Sequence, residues 1–157
     1  MPDMFDARIA LFNQHADSQE EALKMLADEF VKCGVVKDSF FEGIITREKN
    51  FATGLRLNNF SVAIPHTDPE HVNRTQVGFS SLDAPVPFIE MGTEDSEIPV
   101  TMMFMLALKE AHEQLEMLMK LMDMFQNDDL MERFSKVDNY DDYYQLIKEA
   151  GLSTGEE

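Results

Sequence analysis

Apolar residues recur at helical spacing in two stretches near the start of the chain. The first stretch lies between Ser18 and Gly34, and the second begins at Ser39 and runs toward Lys49. Each serine is followed three residues later by a glutamate, a capping-box arrangement that satisfies the free N–H groups of a helix start. The pattern therefore predicts two helices. Their apolar positions are Leu23, Leu26, Phe30, Phe40, Ile44 and Ile45.

From residue 60 the pattern becomes typical of strands. The segments 60–64, 75–82 and 98–108 alternate or run apolar over strand length, and the last of them is nearly continuous. Such a run predicts a strand buried on both faces of a sheet. The segment APVPFIE predicts an edge strand, because Pro85 and Pro87 cannot donate a ladder hydrogen bond.

The helical pattern returns after residue 109. Leu115, Leu118, Met122 and Phe125 recur at spacings of three or four, which predicts a long helix. Two shorter helices are expected, around 129–135 and 140–149. Helices, then strands, then helices predict an α/β domain with a mixed β-sheet flanked by helices.

The size and composition predict one domain. The chain has 157 residues, of which 44% are apolar and 27% charged, and no stretch has the composition of a linker. We expect a single domain over 1–157 with its core at about 17–150.

The charge balance limits the partners. Thirteen basic and 30 acidic residues give a formal net charge of −17, which repels phosphate backbones and anionic lipid surfaces. Nucleic acid and direct membrane insertion are therefore disfavoured. A partner with a basic face is favoured, although solubility alone explains the charge.

The cysteine content and the first residues predict a cytoplasmic protein. The lone cysteine, Cys33, cannot form an internal disulfide, and we expect it to be a small core residue. The first residues, MPDMFDAR, have no basic region followed by an apolar run, and no apolar stretch approaches the roughly 20 residues of a membrane span.

The segment VAIPH delivers a histidine where a predicted strand breaks. Pro65 has no N–H and keeps Ile64 extended, so His66 leaves the sheet from a stiff base. Side chains just beyond strand ends often carry chemistry in open sheets. Imidazole offers a nucleophilic nitrogen near neutral pH, and a histidine that attacks phosphorus forms a labile N–P bond. The alternative is a structural, hydrogen-bonded histidine at a loop start.

The residues around this histidine match a family signature in order and spacing. The stretch GIITREKNFATG followed by NNFSVAIPHT resembles IIA proteins of the phosphotransferase system (PTS), EIIA type 2, the fructose and mannitol type. The resemblance covers about 17–150 and implies the mannitol-IIA-like fold. The matching residues are Arg47, Glu48, Thr53, Gly54, Ala63, Ile64, Pro65 and His66.

The resemblance implies a phosphohistidine carrier. His66 would accept a phosphoryl group from the small carrier protein HPr and donate it to a cysteine of a IIB component, with a membrane IIC component engaged indirectly. Arg47 matches the family arginine beside the active histidine, and its planar fork suits phosphate oxygens. Thr53, in the same motif, is expected to help position the phosphate. No metal or organic cofactor is implied.

One departure from the signature points to a branch of the family. Mannitol and fructose members carry a second active-site histidine before two leucines, which match Leu115 and Leu118 here. That frame places Gln114 at the histidine position, with His112 two residues earlier. Gln114 is favoured, and the substitution resembles the galactitol-specific branch. Thr67, where the family usually has a small residue, is expected to narrow access beside His66.

Two other functions remain open. A nitrogen-related regulatory IIA protein would use phosphorylation of His66 to control partner binding, and a pure interaction module would have a structural His66. A metal cluster of His66, Asp68, Glu70 and His71 is disfavoured by its spacing. The methionines at 102–124 are expected to pack in the core rather than form a binding surface.

Overall fold

In the computed structural model, which describes residues 4–152 apart from the side chain of Ala111, five strands form one mixed sheet. The spatial order is β1-β4-β5-β3-β2. The β1–β4 and β3–β5 pairs are parallel, whereas β2–β3 and β4–β5 are antiparallel. The strands are β1 (Ala10–Gln14), β2 (Gly54–Arg56), β3 (Ser61–Ala63), β4 (Gln76–Ile89) and β5 (Glu97–Ala107).

Helices cover both faces of this sheet, as the sequence predicted. The first two helices pack with one hydrophobic cluster and the last three with the other. The architecture is therefore a single α/β domain. The helices are α1 (Gln19–Lys32), α2 (Phe40–Asn50), α3 (Ala111–Phe125), α4 (Asp128–Lys136) and α5 (Tyr140–Glu149), with a 3₁₀ turn at Pro69–His71.

The strand β5 divides its side chains between the two hydrophobic clusters. Met102, Phe104 and Leu106 belong to the cluster under α3, α4 and α5, whereas Met103 and Met105 belong to the cluster under α1 and α2. Successive side chains of a strand point to opposite faces, so a continuous apolar run buries both. The predicted doubly buried strand is confirmed.

The methionines of α3 also pack against the core, with one exception. Met117 and Met124 are buried, and Met122 packs partly against the core. Met119 is 62% exposed, on the outer side of the helix. Core packing is thus confirmed for most of these side chains.

The two predicted capping boxes differ in outcome. The Ser18 side chain accepts a hydrogen bond from the Glu21 backbone N–H at 3.1 Å, which confirms that cap. The predicted cap at Ser39 is wrong, because its backbone is already helical (φ −78°, ψ −4°) and its hydroxyl caps no N–H. The Ser39 hydroxyl instead lies 2.7 Å from His71 Nδ1, so a contact 32 residues away took the place of the local one.

The predicted edge strand is not a separate strand, because Val86 and Phe88 pair with β5 and continue β4. Its edge character is confirmed, because β1 pairs with β4 only as far as Leu82 and Pro85 and Pro87 therefore face no strand on that side. Pro85 also falls within an irregular stretch of the β4–β5 ladder.

The expectation that Cys33 is a core residue is wrong as well. Cys33 is exposed at the C-terminal end of α1, where its backbone N–H bonds to Glu29. Its position just past the last helical turn places it outside the apolar stripe. None of the described helices has the length and apolar character needed to cross a membrane.

Candidate active site

His66 lies just beyond β3, beside the end of β5. The Ile64 N–H donates to the Thr53 carbonyl at 3.4 Å, and the Leu106 N–H donates to the Pro65 carbonyl at 2.9 Å. A further bridge pairs His66 with Leu106 in parallel. The segment is therefore held on both sides up to the histidine, at the carboxyl edge of two parallel strands, where open sheets bind ligands.

The imidazole of His66 is held through one of its nitrogens. Nδ1 lies 2.9 Å from the Ile64 carbonyl oxygen, which can only accept, so we assign the ring hydrogen to Nδ1 and the free lone pair to Nε2. Burial lowers the pKa of His66, and the positive charge of Arg47 lowers it further, against the opposing effects of Ile64 and Asp68. The lowered pKa of His66 favours the neutral ring.

Arg47 stands in the last turn of α2 and faces the histidine loop. Its Nη1 lies 3.3 Å from the Asp68 Oδ1, and its guanidinium carbon lies 4.6 Å from the centre of the Phe51 ring. Within the described residues its buried Nε has no hydrogen-bond partner. The structure therefore brings a cation with unused donor capacity close enough to act on the pKa of His66.

Thr53 is bound to the neighbouring glutamate. Its N–H donates to Glu48 Oε2 at 2.9 Å and its hydroxyl donates to Glu48 Oε1 at 2.8 Å. Both residues are buried, and burial raises the pKa of Glu48 against the effect of these hydrogen bonds. The hydroxyl hydrogen of Thr53 is thereby used within the protein. Thr53 supports Ile64 through its carbonyl, a role that the sequence did not reveal.

Gln114 and His112 lie in the first turns of α3, which begins shortly after β5 ends beside His66. Gln114 is half-buried and His112 is exposed. Across the part of the chain that the structure describes, neither side chain makes a hydrogen bond. Each is thus free to contact a new group at this end of the sheet.

Thr67 packs toward α2. Its hydroxyl would lie only 2.7 Å from a Cβ built on Gly43, and the ring of His71 would lie at 2.9 Å from the same atom. The buried Thr67 therefore fixes the His66 loop against a glycine of the helix that carries Arg47. This close approach was not recognisable in the sequence.

A cleft of about 390 Å³ opens on the α2 side of Arg47. Polar groups and the exposed ring of Phe51 form its walls, whereas His66 is not among them. Over the described residues, no group of three or more histidine, cysteine or acidic side chains could hold a metal ion. The cleft is lined by Ser39, Glu42, Gly43, Thr46, Arg47, Asn50, Phe51, Thr67, Asp68 and His71.

Curated relatives with similar sequences include two kinds of IIA-related protein. The galactitol-specific EIIA component of the PTS from Escherichia coli K12 is 27% identical over 114 residues, which are 73% of this chain and 75% of that protein. A nitrogen regulatory protein of Klebsiella oxytoca is 27% identical over an alignment of 141 residues, which covers 87% of this chain and 83% of that protein.

A solved structure shows the same fold. The Escherichia coli complex of enzyme IIA-Mtl with phosphorylated enzyme IIB-Mtl contains a chain that superimposes with a TM-score of 0.71 at 22% identity. The match covers 89% of this chain and 94% of that one. The mannitol-IIA-like architecture expected from the sequence is thus confirmed.

The family comparison matches nearly the whole described chain. Residues 3–150 match the family described as the phosphoenolpyruvate-dependent sugar phosphotransferase system, EIIA 2. The match includes the Arg47–Glu48 pair and the Ile64–His66 segment, and it confirms the resemblance drawn from them. The protein therefore belongs to the EIIA type 2 family and is a phosphotransferase component of a sugar phosphotransferase system.

Proposed function

We propose that His66 is the phosphoryl carrier of this EIIA protein. It accepts the group from the phosphohistidine of HPr and passes it to a cysteine of a cognate IIB component. In the first step the Nε2–P bond forms at His66 as the N–P bond to HPr breaks. In the second step that bond is replaced by a bond from the cysteine thiolate to phosphorus.

The observation that carries this proposal is the hydrogen bond between His66 Nδ1 and the Ile64 carbonyl, at 2.9 Å. It leaves Nε2 with the lone pair needed for attack on phosphorus. Because the carbonyl belongs to the same supported strand end, the ring is oriented before any partner arrives. Orientation is the main requirement of phosphoryl transfer, in which the protein supplies positioning and charge.

Arg47 supplies the charge in this proposal. Negative charge on the transferring group is spread over its equatorial oxygens, and a planar guanidinium can contact two of them. The unused Nε and the influence of Arg47 on the pKa of His66 support this role. Gln114 donates an amide hydrogen bond to the phosphate, with His112 as the alternative donor. Thr53 acts indirectly, through Glu48 and Ile64.

Galactitol-type sugar uptake is the pathway we propose. It is supported by the relative with that specificity and by Gln114 at the position of the second histidine. In this pathway the protein acts in the cytoplasm and meets the membrane IIC component only through IIB. The IIB partner is proposed because the similar enzyme IIA-Mtl was solved in complex with phosphorylated enzyme IIB-Mtl.

A regulatory role is the second candidate. The similarity to the nitrogen regulatory protein of Klebsiella oxytoca supports it. In that case His66 would still be phosphorylated, but the phosphoryl group would alter the affinity for a regulated protein.

Intact-mass spectrometry tests the carrier function. The protein is incubated with phosphoenolpyruvate, enzyme I and HPr, beside a His66→Ala variant. One acid-labile phosphoryl group on the wild type alone is expected, and its loss on adding a galactitol-type IIB protein supports transport. Retention with every IIB protein tried favours regulation. No phosphorylation, in a mixture that phosphorylates a known IIA protein, overturns both.

A further inference from the structure

The guanidinium of Arg47 already has an anionic partner. Its Nη1 lies 3.3 Å from Asp68 Oδ1, and Asp68 follows His66 by two residues. A phosphoryl group on His66 would need the same cation. The carboxylate of Asp68 is therefore paired with Arg47, the cation that the proposed carrier function requires.

The ion pair between Arg47 and Asp68 is weak enough for another anion to replace Asp68. The Asp68 side chain is 59% exposed and that of Arg47 is 33% exposed, and ion pairs so open to water are weak. The guanidinium also lies over the ring of Phe51, with 4.6 Å between its carbon and the ring centre. Arg47 can thus stay in place while its anionic partner changes.

Asp68 and Arg47 also act on His66 with opposite signs. The carboxylate raises the pKa of His66, whereas the guanidinium lowers it, so both charges reach the imidazole. A phosphoryl group carries about two negative charges near neutral pH. It is consequently attracted by Arg47 and repelled by Asp68.

We propose that Asp68 is a positioning residue, which holds Arg47 in the unphosphorylated protein and competes with the phosphoryl group for it. Asp68 thereby weakens the hold of His66 on the phosphoryl group. A carrier needs this property, because a group bound too firmly does not pass to the next acceptor. The inference rests on the proposed carrier function.

The side chain of Asp68 can be changed without loss of a local backbone contact. Asp68 precedes the 3₁₀ turn at Pro69–His71, and its side chain caps no N–H there. Its carbonyl accepts from the His71 N–H at 3.2 Å, a bond that Asp68→Asn retains. A matched control is Asp28→Asn on α1, which removes the same charge from another exposed ion pair, with Lys24 at 3.1 Å.

The experiment measures the equilibrium distribution of phosphoryl groups between HPr and this protein by intact mass, approached from both directions. Asp68→Asn is expected to favour the phosphorylated protein by roughly threefold to tenfold, the size of one exposed charge interaction. Asp28→Asn should change the distribution by less than about twofold, because Asp28 pairs with Lys24 and does not contact Arg47. Equal effects of the two variants would overturn the proposal.

A second comparison separates competition for Arg47 from simple repulsion. In an Arg47→Gln background no guanidinium remains to be released, so Asp68→Asn should have a clearly smaller effect. The same effect in both backgrounds would show that Asp68 acts through its charge alone, which contradicts the proposed competition. If the wild type takes up no phosphoryl group, the carrier function itself fails. If the wild type does, and Asp68→Asn matches the control, only this inference fails.

Discussion

The Glu48 carboxylate accepts two hydrogen bonds from Thr53, one from the backbone N–H at 2.9 Å and one from the hydroxyl at 2.8 Å. The Thr53 carbonyl in turn accepts from Ile64, whose own carbonyl lies 2.9 Å from His66 Nδ1. The buried Glu48 at the end of α2 thus connects to the proposed phosphoryl acceptor through two residues, Thr53 and Ile64.

Replacement of Glu48 by glutamine is expected to reveal the cost of its buried charge. Burial raises the pKa of Glu48 above its usual 4.5, so the folded protein holds this proton more firmly than the unfolded chain does. Stability from this group is therefore highest in acid and falls as the pH rises above about 4.5. Urea titrations give the free energy of unfolding of the wild type and of Glu48→Gln at each pH. The value for the wild type minus that for the variant should decrease as the pH rises from about 4 to about 7.

The same variant should lose stability at low pH for a different reason. Its amide presents one oxygen where the carboxyl group meets two donors, and an unsatisfied buried donor costs about 1–3 kcal/mol. Glu42→Gln, at an exposed position of α2, is the matched control for the removal of one carboxylate from this helix. A difference between wild type and Glu48→Gln that is constant across this range would contradict a raised pKa.

His66 is expected to titrate below its usual range. Burial is the main cause, and Arg47 contributes in the same direction. NMR titration of the imidazole should give a midpoint below 6.5, the ordinary histidine value. Arg47→Gln should move that midpoint upward, because it removes a positive charge and leaves Asp68. An unchanged midpoint would show that the charge of Arg47 does not reach the ring.

The rate of phosphoryl uptake from HPr should distinguish Gln114 from His112. Gln114→Ala is expected to slow uptake by about tenfold, the size expected for the loss of one neutral hydrogen bond. His112→Ala should change the rate by less than about twofold, because we assign the donor role to Gln114 and the His112 side chain is exposed. The reverse order of effects would assign the donor role to His112. Circular dichroism checks that both variants remain folded.

Gly43→Ala is expected to destabilise the protein although alanine is the better helix former. The new Cβ would lie 2.7 Å from the Thr67 hydroxyl and 2.9 Å from the His71 ring. Overpacking of this kind costs about 1–3 kcal/mol, against a gain of about 1 kcal/mol in helix propensity. Thermal unfolding measures the balance. The double variant Gly43→Ala with Thr67→Ser keeps the hydroxyl and should show whether rotation of that side chain relieves the contact.

The sequence alone was sufficient for the parts of the fold that bury a regular pattern. The apolar run of β5 and the stripes of α1 and α3 each satisfy one periodicity, so their structure follows from local spacing. The Ile-Pro-His segment likewise limited its own backbone, because proline restricts both itself and the residue before it. The family signature then indicated His66 and Arg47 as the candidate site residues.

Other elements depended on partners that are distant in the chain. β1 and β2 are short, and they are strands because β4 and β3 lie beside them. The hydroxyl of Ser39 had a local role available and took a contact with His71 instead. The segment after Leu82 continued β4 along β5, and its prolines stand where β1 no longer pairs with β4.

The candidate site likewise combines features set by the local sequence with features set by distant contacts. The sequence by itself determined which residue types stand at the strand end, because the Ile-Pro-His segment and the preceding Arg-Glu pair are local features. Only the tertiary structure decided that Asp68 faces Arg47 and that Thr53 binds Glu48. Hydrogen bonds and ion pairs depend on distances of a few ångströms, and the packing of α2 against the His66 loop sets those distances.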